Sequence, residues 1–238
     1  MDESLAEARY ARLRWNAPLS ESHADQLLEC LQLSSITSLV DLGCGWGELL
    51  LRAISRTDMD GPVTGVDIDV AVLQRARRAA EQRGLKVSFI EQPAGEWRET
   101  RSRAICIGSS HSLGGSKAML ERLSEIVPRG RVLVGDMCWE RPPTDAARAV
   151  FGDEVPMLAD LAALCRETGW EVLHLSTADQ REWDDFESRH RAGLREWLLS
   201  NHDSPQAMEI RQQQNAREQE YLTVYRGVLS FVYLVLGR

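Results

Sequence analysis

Several features are missing from the sequence, and each absence excludes a class of protein. No run reaches the ~18 consecutive apolar residues of a membrane-spanning helix. The first 15 residues read MDESLAEARYARLRW, which is charged and lacks the apolar core of a secretion signal. Acidic residues outnumber basic ones by 36 to 28, and the formal net charge is −8. Nucleic-acid and membrane partners are therefore disfavoured.

Cysteine is scarce and scattered. No two cysteines form a C-x-x-C pair, and no histidine cluster accompanies them, so neither a zinc site nor a disulfide framework is predicted. Isolated thiols are typical of a reducing cytoplasm, which is the expected location. The five cysteines are Cys30, Cys44, Cys106, Cys138 and Cys165.

What the sequence does contain is a regular alternation of short apolar runs and amphipathic segments. This alternation predicts a parallel sheet with helices on both faces. The predicted strands are 38–42, 62–66, 87–90, 104–108, 131–135, 171–175 and 227–236. The predicted helices between them are 46–56, 70–83, 116–127 and 158–168.

The spacing of these elements predicts three regions. Residues 37–178 and 227–238 form the α/β core, and a long, mostly helical segment at 179–226 interrupts the core before its last strand. That segment is expected either to cap a ligand site or to be only a packed surface subdomain, since ligands bind at the carboxyl ends of such strands. Residues 1–36 are expected to form a second helical lid or to pack outside the sheet.

The most informative motif is a glycine-rich turn between the first strand and its helix. Gly43, Gly45 and Gly47 alternate with other residues, and Asp41 comes just before them. Glycine allows positive φ and leaves room for a ligand beside the backbone. Dinucleotide folds use the different spacing G-x-G-x-x-G, and a carboxylate beside the turn favours a cationic ligand over a pyrophosphate. Asp67, 20 residues beyond Gly47, ends the second strand and suits ribose hydroxyls.

Together, VDLGCGWGELLLR and GVDID resemble motifs I and II of class I S-adenosylmethionine-dependent methyltransferases. The resemblance implies a Rossmann-like seven-stranded sheet of order 3-2-1-4-5-7-6 with an antiparallel strand 7. It also implies that the glycines line the methionine end of the cofactor and that Asp41 orients the turn or binds the amine. Asp67 would then hold the ribose, and Ile68 would pack on the adenine.

The sequence departs from this family after strand 3. An Asp that often contacts the adenine amine is replaced by Pro93. Gln92 or the backbone of Ala94 is the expected substitute.

The segments after strands 4 and 5 are expected to face the transferable methyl group. Strand 4 ends at Gly108, a predicted cofactor contact, and the small-residue loop beyond it carries His111. His111 is a candidate base because imidazole titrates in the physiological range, although a role in loop structure is the alternative. Asp136 after strand 5 is a second candidate base or acceptor ligand, or else a turn cap. The loop after strand 4 matches no DNA amino-methyltransferase motif, and no acid cluster for magnesium is present.

Tryptophans are the candidate walls of an acceptor pocket. The three proposed are Trp15, Trp139 and Trp183, each with core packing as the alternative. The sequence therefore predicts methyl transfer from S-adenosylmethionine to an O, N or C nucleophile of a small molecule. The alternatives are a non-catalytic module that binds S-adenosylmethionine, or methylation of a macromolecule. A Rossmann oxidoreductase is disfavoured by the glycine spacing.

Overall fold

A computed structural model describes residue 5 and residues 8–238, so residues 1–4 and 6–7 of the expected N-terminal lid lie outside the described part. One seven-stranded sheet runs through the molecule in the order β3-β2-β1-β4-β5-β7-β6, and β7 is antiparallel to both of its neighbours. The predicted fold class is confirmed. The strands are β1 (Leu39–Leu42), β2 (Val63–Asp67), β3 (Ser88–Glu91), β4 (Arg103–Ile107), β5 (Arg131–Trp139), β6 (Glu171–Thr177) and β7 (Leu229–Gly237).

Helices pack on both faces of this sheet and bury two apolar clusters. The inner strands are buried on nearly all positions because helices cover both faces, whereas the edge strands β3 and β6 have exposed residues. In the described residues the helices are α1 (Glu21–Leu31), α2 (Glu48–Ser55), α3 (Val70–Gln82), α4 (Ser116–Ile126), α5 (Asp145–Phe151), α6 (Leu158–Glu167), α7 (Gln180–Ser200) and α8 (Ala207–Glu220). None of them is long and apolar enough to cross a membrane.

β5 is four residues longer than the sequence predicts. It was expected to end at Gly135, but it continues to Trp139 because β7 pairs with it over its whole length, from Arg131–Gly237 to Trp139–Leu229. Asp136 therefore lies within a strand rather than in the loop that follows one. A partner more than 90 residues away in sequence sets this boundary, and local pattern does not reveal it.

The segment between β6 and β7 forms two helices and a π-helical turn, Tyr221–Tyr225. α7 begins with a capping box, in which the Asp179 side chain accepts from the Glu182 backbone and the Glu182 side chain accepts from the Asp179 backbone. Glu182 also accepts from Ser20 N at 2.8 Å and contacts His23 Nδ1 at 3.1 Å. These contacts tie α7 to the start of α1.

α1 itself belongs to the packed core. Leu27, Leu28 and Leu31 on its buried face are at most 5% exposed and pack in the larger apolar cluster of the sheet. The irregular segment 10–20 precedes α1 and crosses the carboxyl ends of the strands. The expected division of the chain into a core, an insert and an N-terminal lid stays a prediction.

Candidate active site

The glycine turn after β1 is held open by backbone conformation. Gly43, Gly45 and Gly47 have φ values of +74°, +53° and +70°, which side chains rarely adopt. Gly47 in this conformation delays the start of α2 to Glu48, two residues later than the sequence predicts. A Cβ on Gly43 would lie 2.0 Å from Ser109 Oγ, whereas a Cβ on Gly45 would meet no protein atom within 4 Å. The turn thus packs against the segment that follows β4 on one side and leaves open space at Gly45.

Asp67 ties this turn to the end of β2. Its Oδ2 accepts a hydrogen bond from Gly45 N at 2.8 Å, and its Oδ1 accepts from Asp69 N at 3.0 Å. Asp69 then caps α3 by accepting from the backbone of Ala71 at 2.8 Å. Each Asp67 oxygen keeps a lone pair for a further donor. The two motifs recognised in the sequence are therefore one hydrogen-bonded unit.

A cavity of about 440 Å³ lies beside this unit, and we call it the loop cavity. Its volume is typical of small-molecule sites. Most of the predicted cofactor contacts line it, namely Gly43, Gly45, Asp67, Ile68, Ala94 and Gly108. Ile68 is 67% exposed, which is unusual for such an apolar side chain and is explained by its position on this wall.

Asp41, Gly47 and Gln92 are the predicted contacts that do not line the loop cavity. Gln92 N donates to Asp67 O at 3.1 Å, which holds the following Pro93 and Ala94 against the cavity. Gln92 thus orients the wall through its backbone, and a side-chain contact with adenine stays a prediction. Gly47 packs against Phe89, since an added Cβ would lie 2.9 Å from that ring.

Asp41 lies beneath the glycine turn, where it is 5% exposed and lines a small void of about 80 Å³. Burial, together with the smaller effect of the negative charge of Asp67, raises the pKa of this carboxyl to about 8. A cation near the turn would reverse this shift, because it favours the ionised form. The position is compatible with both predicted roles, which are orienting the turn and binding an amine.

A second cavity, of about 390 Å³, opens next to the first under α7 and α8, and we call it the cap cavity. Asn16, Gly108 and His111 line both cavities, so the two meet at these residues. Both predicted base candidates, His111 and Asp136, line the cap cavity. Asp136 is 7% exposed and accepts from Ser116 Oγ and from Met137 N, each at 2.9 Å.

Of the three tryptophans predicted to bind substrate, Trp183 lines the cap cavity. Its Nε1 is buried without a hydrogen-bond partner among the described residues. Trp139 instead is 2% exposed in the core and packs edge-on against Phe151 at 6.0 Å between ring centroids. Trp15 donates from Nε1 to Leu19 O and lines the void beneath the turn. The positions of Trp139 and Trp15 give their predicted substrate contacts no support.

Charged side chains from α7 and α8, the two cap helices, form one end of the cap cavity. Glu187, only 1% exposed, accepts from Arg217 Nε and Nη2 at 2.8 Å each and from Tyr225 OH at 3.0 Å. His190, one turn along α7, also lines the cavity. Burial, together with the smaller effect of the nearby Arg217, lowers the pKa of His190 to about 4, so this imidazole is neutral at pH 7.

Comparison with known proteins identifies the family. A family model described as a methyltransferase domain matches residues 33–190, more than half of the chain. This chain belongs to the methyltransferase family.

Solved structures resemble this methyltransferase over nearly its whole length. An S-adenosylmethionine-dependent methyltransferase from Geobacter sulfurreducens, in complex with S-adenosylhomocysteine, is 28% identical with a TM-score of 0.87 and 98% coverage of both chains. A second such complex, from Thiobacillus denitrificans, is 26% identical with a TM-score of 0.86 and the same coverage. The resemblance to class I S-adenosylmethionine-dependent methyltransferases is confirmed.

A third relative is the uncharacterized protein YjhP of Escherichia coli, which is 29% identical over 236 residues and 94% of each chain. Its X-ray structure superimposes with a TM-score of 0.85 and covers 99% of this chain and 98% of that one.

Sequence reasoning did not single out several residues of this methyltransferase's two cavities. Asn16 carries no motif in the sequence, although it lines both cavities. Glu187, His190 and Arg217 carry the chemistry of the cap cavity, yet each occurs in a helix rich in charges. Helical spacing shows which side chains share a helix face but not which pair across α7 and α8. Tyr10 of the loop cavity likewise carries no motif.

Proposed function

We propose that this methyltransferase transfers the methyl group of S-adenosylmethionine to an O, N or C nucleophile of a small molecule. The supporting observation is the pair of adjoining cavities that share Asn16, Gly108 and His111. S-adenosylmethionine supplies an electrophilic methyl group on a sulfonium and leaves as the neutral thioether S-adenosylhomocysteine. An in-line displacement needs donor and nucleophile on opposite sides of the carbon, and two meeting cavities provide this arrangement.

The donor is assigned to the loop cavity. Its glycine turn leaves space beside Gly45, and Asp67 retains acceptor capacity for ribose hydroxyls. Ile68 offers an exposed apolar surface to the adenine, with Ala94 also on the wall. These residue types fit a molecule with an adenosyl group, a sulfonium and no phosphate. The methionine end is assigned to the turn, above Asp41.

The acceptor is assigned to the cap cavity. A volume of about 390 Å³ admits a small molecule, and the walls are largely aromatic, with Phe151, Trp183, Phe186 and Tyr225 among them. The cap helices cover this cavity, which disfavours a polymeric acceptor. The net charge of −8 also disfavours nucleic acid.

His111 and Asp136 are the candidate bases where the acceptor must lose a proton. In that case the nucleophile's lone pair bonds to the methyl carbon, the carbon–sulfur pair stays on sulfur, and the proton passes to His111 or Asp136. His111 lies where the cavities meet, and Asp136 lies deeper in the cap cavity with two hydrogen bonds that fix its carboxylate. A neutral nucleophile without an acidic proton would need neither group.

The test is transfer of labelled methyl from S-adenosylmethionine to separated cell fractions. We expect label in the low-molecular-weight fraction, with the product identified by mass spectrometry. Label confined to RNA or protein would reject the small-molecule acceptor. Tight binding of S-adenosylmethionine without transfer to any fraction would favour the non-catalytic module.

The base assignment is tested in the same assay. His111→Ala is expected to reduce turnover by about 100-fold, the typical contribution of a general base, with little change in affinity for S-adenosylhomocysteine. His202→Ala is the matched control, since His202 is exposed and pairs with Asp203 away from both cavities. Equal losses of turnover and affinity in His111→Ala would reject the role.

A further inference from the structure

Asn16 is a polar side chain at the place where the two cavities meet. It lines the loop cavity, the cap cavity and the void beneath the glycine turn. Gly108 and His111 are the other two residues on both main cavities, so Asn16 and His111 are the polar side chains at this junction. The Asn16 carboxamide has no hydrogen bond to any described residue and is exposed. Its oxygen and its N–H groups are therefore free for a ligand.

The backbone around Asn16 is irregular but firmly attached. Trp46 Nε1 donates to Arg14 O, and Trp15 Nε1 donates to Leu19 O at 2.5 Å. Tyr233 OH, from the middle of β7, donates to Pro18 O at 3.0 Å. Two remote side chains, Trp46 and Tyr233, and one local contact from Trp15 thus hold the segment on both sides of Asn16.

The segment around Asn16 packs against the core, and Ala17 belongs to the larger apolar cluster. Ala17 and Pro18 are buried beside Asn16, whereas the Asn16 side chain contributes no contact to the core. An exposed loop residue that is held rigidly at a cavity junction is in the position of a ligand contact. The fixed backbone limits the Asn16 side chain to a few rotamers.

We propose that Asn16 contacts the methyl-bearing sulfonium of S-adenosylmethionine and holds the methyl group in line with the acceptor. This proposal rests on the proposed function, because it requires the donor in the loop cavity and the acceptor in the cap cavity. The carboxamide oxygen carries partial negative charge, which would attract a positive sulfonium bound at the junction. The residue is uncharged, so it stabilises the donor without the full attraction that a carboxylate would exert on the reactant.

The charge of the sulfonium provides a test that needs no acceptor. S-adenosylmethionine and S-adenosylhomocysteine differ by the methyl group and one positive charge, and their amino-acid and adenosyl parts are common. The ratio of their dissociation constants therefore reports on the environment of the sulfonium alone. Isothermal titration calorimetry measures both constants for the wild-type protein and its variants.

Asn16→Asp introduces a carboxylate with nearly the same shape, ionised at pH 7.5 because an exposed Asp has a pKa near ~3.9. We expect the ratio to shift at least about fivefold in favour of S-adenosylmethionine, since the new charge attracts only that ligand's sulfonium. The matched control is Asn215→Asp, the same substitution at an exposed residue of α8 that lines neither cavity. Its ratio should equal that of the wild type.

The outcomes separate the two proposals. If wild type binds neither ligand, the proposed function fails. If wild type binds both and Asn16→Asp leaves the ratio unchanged, or lowers both affinities equally, the Asn16 contact is rejected while the function stands. Thermal melting of both variants checks folding, and Asn16→Ala is the second variant if Asn16→Asp does not fold. Its ratio should move at least about twofold toward S-adenosylhomocysteine, through loss of the carboxamide dipole.

Discussion

The loop cavity and the cap cavity lie side by side, yet they are built in different ways. The loop cavity depends on backbone conformation and a few residues close in sequence, since the turn at residues 43–47 and Asp67 form one hydrogen-bonded unit. The cap cavity combines α7, α8, β5 and β7 and is held at one end by a buried charge network around Glu187. The loop cavity thus depends mainly on local turn geometry, whereas one end of the cap cavity depends on pairing between side chains of α7 and α8.

This difference implies that substitutions can damage the loop cavity and the cap cavity independently. Loss of Glu187 should affect the packing of α7 and α8 and leave the loop cavity intact. Loss of Asp67 should affect cofactor binding alone. Substitutions in either cavity would therefore show whether the two are separable or coupled.

Glu187→Gln is expected to cause the largest change. It removes the charge that pairs with Arg217 and lies 3.5 Å from the buried Arg191, so two guanidinium groups lose a partner. Breaking a buried ion pair on one side costs about 3–5 kcal/mol. We expect the free energy of unfolding, measured by urea denaturation, to fall by that amount. Affinity of the folded protein for S-adenosylhomocysteine should stay near the wild-type value.

The matched control lies on the same helix. Glu196→Gln removes a carboxylate that pairs with Arg12, but both side chains are more than half exposed. Exposed pairs contribute about 0–1 kcal/mol, so little change is expected. A loss of stability in Glu187→Gln no larger than in Glu196→Gln would contradict the assignment of Glu187 as the anchor of the cap.

Asp67→Ala tests the loop cavity. Hydrogen bonds to a charged group contribute about 1.5–3 kcal/mol, and this substitution removes those to the ribose together with the tie to Gly45. We expect affinity for S-adenosylhomocysteine, measured by calorimetry, to fall by about 100-fold, or roughly 3 kcal/mol. Glu91→Ala is the control, because Glu91 pairs in register with Asp67 at the end of β3 but does not line the loop cavity. Equal losses in both variants would reject the ribose contact.

The contrast between local and remote contacts also explains which parts of the fold and the site could be predicted from the sequence. The strand order and the antiparallel β7 were implied by the family resemblance. Most of the loop cavity followed from the glycine turn and Asp67, since these residues lie within 25 positions of each other, and from the same resemblance. The predicted end of β5, at Gly135, was wrong because β5 pairs with β7, which is remote in sequence. α5 was not predicted, and it is only seven residues long with one buried residue, Ala147.

The cap cavity could be predicted only in part. His111, Asp136 and Trp183 were proposed from their positions after strands or within the inserted segment, and all three line the cavity. Trp139 was proposed on the same reasoning, but the extended β5 carries it into the core. Glu187 and Arg217 are 30 residues apart on different helices, and their contact depends on how α7 and α8 pack. Pairing of this kind cannot be derived from the pattern of either helix.

The smallest expected effect concerns Asp41, and it sharpens the comparison within the loop cavity. Burial and the charge of Asp67 raise the pKa of Asp41 to about 8 in the ligand-free protein. A cationic amine bound nearby would favour the ionised carboxylate, so binding would lower this pKa and release a proton below pH 8. Affinity for S-adenosylhomocysteine should then rise between pH 6 and 8, by at most about tenfold per pH unit, and level off above pH 8.

Calorimetry in buffers of different ionisation enthalpy measures the proton release directly, and Asp41→Asn should abolish it. Because the folded pKa is raised, ionisation of Asp41 lowers the stability of the ligand-free protein as pH increases from about 4 to 8. Asp41→Asn should therefore also raise the melting temperature at pH 8. Proton release that persists in Asp41→Asn would assign the titration to another group. Absence of release in the wild type would show that Asp41 only orients the turn, and that the loop cavity binds its ligand without this charge.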